Sequence, residues 1–282
     1  MSSPVSQIQI ANPLLNKLKD AGVNPVSRNQ HGKIVFFDSF ENDVLAWYPV
    51  LSVNQSFATG STVERSFNRA YHGKASLHMK VTQAFANIQA FRPFQHNSNK
   101  LSIEAFFTFN DVMRTVNDGQ ALFFELIYFD GANARIFRVE YRPHFHQWTA
   151  WAHNSGNIDG PTDLINLVAN NATPTSATTN TLSSNFYIPA YDDAANSTAN
   201  FDVKEGWGNV KLWVDKSGPA YVGVEIDNQF YDISGFTPIV AGANSTIPSG
   251  TRNWIAGLRI VEDTNAYVGH AYFDAITVRD ET

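Results

Sequence analysis

From residue 33 onward, apolar and polar positions alternate along the chain with a period of two. The runs KIVFFDSF (33–40), ASLHMKV (75–81), LSIEAFFTF (101–109), QALFFELIYF (120–129), ARIFRVEYR (134–142), GNVKLWVD (208–215), YVGVEID (221–227), IAGLRIVE (255–262) and AYFDAITVRD (271–280) are short and rich in Phe, Val, Ile and Tyr. Gly, Asn, Asp and Pro separate them, so each predicts a β-strand. No long helical pattern lies between them, which disfavours parallel βαβ units and predicts antiparallel pairing in a two-sheet sandwich. A helical period occurs near the start, where Asn12 can cap a helix, Pro13 suits its first turn and Gly22 can end it. Leu14, Leu15 and Leu18 then share one stripe with Ala21. A helix this short does not persist alone in water. The stripe must therefore be buried, either on its own domain or on a neighbouring subunit.

The expected organisation is an arm over residues 1–32 and a β-sandwich over 33–282, interrupted by a long polar loop at about 152–203. A loop of that length inside one domain tends to serve function or a partner. Apolar residues make up 43% of the 282, which is enough for a packed core. The net charge of −6 lacks the basic footprint of a nucleic-acid-binding protein. There is no cysteine, so disulfides, thiolate catalysis and Cys-ligated zinc are excluded. No run of 18 apolar residues marks a membrane span, and the N-terminus lacks the basic and apolar regions of a signal peptide. The expectation is synthesis in the cytoplasm, with any display outside occurring on a virion or another particle.

The stretch RVEYRPHFHQW (138–148) carries the candidate chemistry. Drawn as one extended strand, it puts Arg138, Glu140, Arg142, His144, His146 and Trp148 on one face. Trp148, Trp151, Tyr141 and Arg142 are of the types that stack on sugar rings and bond their hydroxyls. His144 and His146 could instead supply two imidazoles to Zn²⁺ or Cu²⁺, with His153 or Glu140 as a third ligand. The plain alternative is the wet face of an antiparallel sheet, with Arg138, Glu140 and Arg142 as a charge ladder.

Two stretches resemble a known superfamily. FDSFENDVLAWYPV with AYHGKASLHMKV, through Phe40, Glu41, Trp47, Gly73, Ser76 and Leu77, resembles the opening of jelly-roll carbohydrate-binding modules. AYFDAITVRD looks like their closing strand, and WGNVKLWVD with YVGVEIDNQFYDI is similar to the central pair of concanavalin A-like (laminin-G-like) sandwiches. In that pattern Trp207 begins a strand and Asp227-Asn228 forms a hairpin turn. The resemblance implies a structural Ca²⁺ held by Glu41 and Asp274 with backbone carbonyls near Gly73. Glu225 and Asp227 are similar to part of the acid triplet of laminarinase-like hydrolases, but the third acid is missing. RVEYR resembles the Arg-x-Glu-Leu-Arg strand of alginate-lyase-type sandwiches, whose Gln-Ile-His and Tyr-Phe-Lys motifs are not matched.

These readings converge on an all-β, antiparallel jelly-roll or concanavalin A-like sandwich with a short N-terminal helical arm. The expected role is non-enzymatic. It is an outer subunit of a large homo-oligomeric assembly, of virion-decoration or adhesion type, that binds other protein subunits and a polysaccharide. A free carbohydrate-binding protein and a polysaccharide lyase are the alternatives.

Overall fold

The alternation becomes two antiparallel sheets in the computed structural model. It describes residues 32–42, 45–51, 60–82, 87–110, 120–130, 133–143, 147–152, 163–166, 206–227, 229–234, 236–241, 253–262 and 268–282. Strands are numbered along the chain. Sheet A runs, in spatial order, β13 (Gln229–Asp232), β12 (Ala220–Ile226), β11 (Gly208–Asp215), β6 (Lys100–Phe109), β16 (Gly269–Asp280), β4 (Ser76–Val81) and β3 (Thr62–Ser66). A further strand, β1 (Lys33–Asp38), also pairs with β16. Sheet B runs β10 (Asp163–Asn166), β9 (Gln147–Ala152), β8 (Ala134–Arg142), β7 (Gln120–Phe129), β15 (Trp254–Glu262), β5 (Asn87–Phe94) and β2 (Tyr48–Leu51). There, β14 (Ile239–Ala241) pairs with the start of β8.

All nine apolar runs named above are strands in the structure. The strands that periodicity missed are short or interrupted. β5 contains Pro93, for example, which lies beyond the last β2 pair, Tyr48 with Phe91, where no partner on that side needs its missing N–H. The core is the layer between the sheets. Leu77, Met79, Ile103, Phe107, Leu212, Val224, Phe273 and Val278 enter it from sheet A. Ile88, Leu122, Phe124, Leu126, Phe137, Val139, Leu258 and Ile260 enter from sheet B. Aromatic rings bridge the layer. Phe107 of β6 lies 5.1 Å from Phe124, 5.6 Å from Tyr141 and 5.6 Å from Trp148, and Phe273 of β16 lies 5.8 Å from Phe124.

One expectation is overturned here. Residues 138–148 are not a single strand. β8 ends at Arg142, β9 begins at Gln147, and the two pair as a hairpin with Tyr141 opposite Trp148 and Arg142 opposite Gln147. An even-numbered residue therefore faces an odd-numbered one across the ladder, and the outward parity switches at the turn. Trp148 consequently points inward. It is 2% exposed, packed 4.6 Å from Tyr141, which is itself buried. Neither residue belongs to the outer face, and both are core.

The arm with Leu14, Leu15 and Leu18, the candidate ligands His144 and His146, and most of the 152–203 stretch lie outside the described residues.

Replacing Trp148 with Ala empties the middle of the aromatic layer, and we expect a loss of about 3–5 kcal/mol in unfolding free energy. Trp151→Ala, on the other face of the same strand, should cost markedly less. Denaturant unfolding of both variants checks the assignment of faces, and equal losses would contradict it.

Candidate functional site

The parity switch gathers a charged cluster on the outer face of sheet B. Register aligns Trp151 with Arg138, Arg138 with Glu125, and Glu125 with Gly257 across β9, β8, β7 and β15. The neighbouring row aligns Thr149, Glu140, Phe123 and Arg259. Glu125 and Glu140 are each 1% exposed, and a buried carboxylate must be paired. Arg138 Nε donates to Glu125 Oε1 at 2.5 Å, and Arg142 Nε donates to Glu140 Oε1 at 2.5 Å. Trp151 Nε1 donates to the other oxygen of Glu140 at 2.7 Å. The Arg138 guanidinium lies 5.3 Å from the centre of Phe123 and 5.5 Å from that of Trp151, while Arg259 lies 5.1 Å from Phe123. These are cation–π distances. Among the described residues, the cluster brings together the guanidinium groups of Arg138, Arg142 and Arg259, the carboxylates of Glu125 and Glu140, and the half-buried indole of Trp151.

A hydroxyl from the opposite sheet fixes this arrangement. Tyr221 of β12 crosses the core, accepts the Arg138 backbone N–H at 2.9 Å and donates to the Trp151 carbonyl. Its burial pushes the hydroxyl pKa far up, so it remains a donor at every ordinary pH. Arg138 and Trp151 are thereby held opposite one another.

Of the residues singled out in the stretch, Arg138, Glu140, Arg142 and Trp151 are brought together. Arg138 pairs across strands with Glu125 and not with Glu140, so the same-face ladder is half right. Glu125, Phe123 and Arg259 were missed. Their signal was a lone charge inside an apolar run, Glu125 in QALFFELIYF and Arg259 in IAGLRIVE, which implies a partner on an adjacent strand.

Glu41 and Asp274 are also brought together, around the turn from Tyr71 to Ala75. Asp274 Oδ2 accepts the backbone N–H groups of Tyr71 at 2.8 Å and His72 at 2.7 Å, and Oδ1 accepts that of Ala275 at 2.6 Å. Glu41 Oε1 accepts those of Lys74 at 2.6 Å and Ala75 at 2.9 Å. Backbone strain collects at the same place. Phe40 (φ 57°), Gly73 (φ 74°) and Ala275 (φ 47°) all adopt the left-handed region, and Phe40 and Ala275 are not glycines. Gly73 also packs against the Glu41 carboxylate so closely that a Cβ would collide with it. Asp274 has no solvent exposure. Burial pushes its carboxyl from 3.8 up to about 7, with Glu41 adding to the rise and the three N–H bonds opposing it.

The remaining acids have local explanations. Glu225 lies on the outer face of sheet A beside Lys211, which is buried and reaches Glu281 Oε1 at 3.3 Å. Burial raises the Glu225 pKa, and Lys211 opposes the rise. Asp227 Oδ1 accepts the Asn209 N–H at 2.8 Å, and its φ of 47° makes it half of the two-residue turn between Ile226 and Gln229. The hairpin accounts for this stretch without hydrolytic chemistry.

Two antiparallel sheets packed through one apolar layer define an all-β, antiparallel two-sheet sandwich. The chain is similar to the solved endo-β-1,4-glucuronan lyase from the fungus Trichoderma reesei, at 10% identity over 88% of this chain and 95% of that one, with a TM-score of 0.47. It is also similar to Cip1, a cellulose-induced protein, at 11% identity over 88% and 97% of the two chains and a TM-score of 0.43. An endo-1,3-β-glucanase from Streptomyces sioyaensis matches at 11% identity over 91% and 100%, with a TM-score of 0.43. No protein-family model and no curated protein matches the sequence.

The Asp274 environment generates a pH prediction. Its folded-state pKa lies above the unfolded value, so its contribution to stability is greatest below pH 3.8 and is lost as the pH rises through about 7. In chelator, the melting temperature should fall across that window, and Asp274→Asn should flatten the fall. Melting curves that keep the same slope in the variant would contradict the assignment.

Proposed function

We propose that the protein is a non-enzymatic glycan-binding jelly-roll whose ligand is an anionic polysaccharide lying on the outer face of sheet B. The supporting observation is the cluster of Arg138, Arg142 and Arg259 around Trp151 and Phe123. The indole offers a stacking surface for a sugar ring, and guanidinium groups pair with uronate carboxylates. Glu125 and Glu140 hold the arginines in fixed rotamers, so little side-chain entropy remains to be lost on binding. Trp151→Ala and Arg138→Gln should each weaken binding to uronate oligosaccharides at least tenfold, measured by calorimetry, while neutral glucans bind poorly to both variants and the parent. Parent protein that prefers the neutral glucan would overturn the reading.

The lyase reading differs in one respect, since it also requires a base to take the proton at C5 of a uronate. Among the described residues of this cluster, carboxylates and guanidinium groups are present but no imidazole or phenol. Absorbance from an unsaturated uronate product, lost in Arg142→Ala, would favour the lyase.

Glu41 and Asp274 are suited to hold a structural Ca²⁺. Both offer hard carboxylate oxygens, and Glu41 Oε2 has no partner among the described residues. Among the described residues no three acidic or imidazole side chains are arranged to hold a metal ion by themselves, so backbone oxygens and water would complete the shell. The cation would supply the charge that the buried Asp274 lacks. Calcium should raise the melting temperature and abolish its fall toward pH 7, and an unchanged melt would exclude it.

Leu14, Leu15 and Leu18 support a role for the N-terminal segment in joining subunits of a larger assembly, such as the exterior of a virion. Deleting residues 1–30 should leave a folded monomer with a near-native melting temperature that no longer joins its oligomer. A truncated chain that aggregates would instead place the stripe in the core.

A further inference from the structure

On the outer face of sheet A, three strands carry one chain of hydrogen bonds. Glu64 of β3 places Oε1 3.0 Å from Nδ1 of His78 on β4, and His78 Nε2 lies 2.8 Å from Nδ1 of His270 on β16. The two imidazoles are parallel within 2°, with centres 5.1 Å apart. Rings stacked face to face could not bring their nitrogens within 2.8 Å, so these lie side by side and the nitrogens meet head-on.

That geometry fixes the protons. Ionised Glu64 can only accept, so His78 Nδ1 donates to it. Neutral His78 then accepts at Nε2, His270 Nδ1 must donate, and His270 Nε2 is left with its lone pair. The chain can take up one proton without rearrangement, at His270 Nε2. A second proton would break the bond between the imidazoles.

The surroundings are positively charged. Lys80 of β4 is paired with His270 across the ladder. Arg69, from the loop before β4, lies 5.6 Å from the Tyr272 ring, and His78 stacks on that ring at 4.6 Å. Burial and then the charges of His78, Lys80 and Arg69 hold the His270 pKa below 6.5, while Glu64 opposes them. Arg69 and Glu64 are exposed and His270 is half-buried, so the place is open to a ligand. Protonated His270 would stand with Lys80 and Arg69 as three cations, with one carboxylate behind them.

We propose that His270 Nε2, Lys80 and Arg69 form a site for a sulfate-like oxyanion, free or as an ester on a glycan, which binds together with one proton. The charge of these side chains, drawn from three separate elements of one face, suits a sulfate-like group, and Arg69 Nη1 also donates to the Phe109 carbonyl at 3.4 Å. An anion there replaces the repulsion on His270 with attraction, so ligand and proton stabilise each other.

Inorganic sulfate is the probe, because it does not titrate near neutrality and any pH dependence belongs to the protein. Ring ¹⁵N NMR follows His270 in sodium chloride and in sodium sulfate at matched ionic strength. Sulfate should raise the His270 pKa, and its affinity should fall about tenfold per pH unit above that pKa, as one-proton linkage requires. Arg69→Gln with Lys80→Gln should remove the sulfate effect and keep the melting temperature, and Lys80→Gln alone should reduce it. A stronger response to a sulfated oligosaccharide than to its desulfated counterpart marks an ester ligand, and a response to inorganic sulfate alone marks a free anion. A His270 titration indifferent to sulfate, or shifted equally in the double variant, overturns the proposal.

Discussion

The charged cluster on sheet B depends on the alternation of its strands. The strands β4, β6, β11, β12 and β16 of sheet A and β5, β7, β8, β9 and β15 of sheet B each have one face in the shared apolar layer, so moving one of them by one residue would exchange its buried and solvent-facing sets. The rings of Phe107, Phe124, Tyr141, Trp148 and Phe273 lock the layer from both sides. With that layer fixed, Arg138, Glu140, Thr149 and Trp151 have no choice but to share the opposite face. The charged cluster is therefore a consequence of core packing, and Tyr221, an inward residue of the other sheet, sets its backbone spacing.

Both outer faces solve the same electrostatic problem. Strands buried on one side also carry carboxylates that are shielded on the other. Sheet B satisfies Glu125 and Glu140 with arginine and indole N–H groups, while sheet A sets Glu225 beside Lys211 and bonds Lys211 to Glu281. Where no side-chain cation is at hand among the described residues, as at Asp274, backbone amides take over, and the left-handed residues Phe40 and Ala275 mark the cost.

The fold was legible in the sequence because alternation is a local signal, readable within eight to ten residues. The pairing of Glu41 with Asp274 was legible only through resemblance, since 232 residues separate them and no period links them. The charged cluster was legible in composition but not in orientation. RVEYRPHFHQW looks like one amphipathic strand, but β8 ends at Arg142 and β9 begins at Gln147, which moves Trp148 to the opposite face. Pro143 was the cue, since proline disrupts a central strand. Partners on adjacent strands, such as Glu125 and Arg259, depend on registers that a single strand does not encode.

The place of β16 bears on how the protein is made. It lies between β6 on one side and β4 and β1 on the other, and it follows every other described strand in the chain. During synthesis, the open edges of β4 and β6 have no neighbour until residues 269–280 have left the ribosome. A nascent chain paused before that point presents two unpaired apolar edges and half a core, the kind of surface on which chains aggregate. Efficient production would then depend on how quickly β16 follows the other strands and on chaperones that hold the chain until it does.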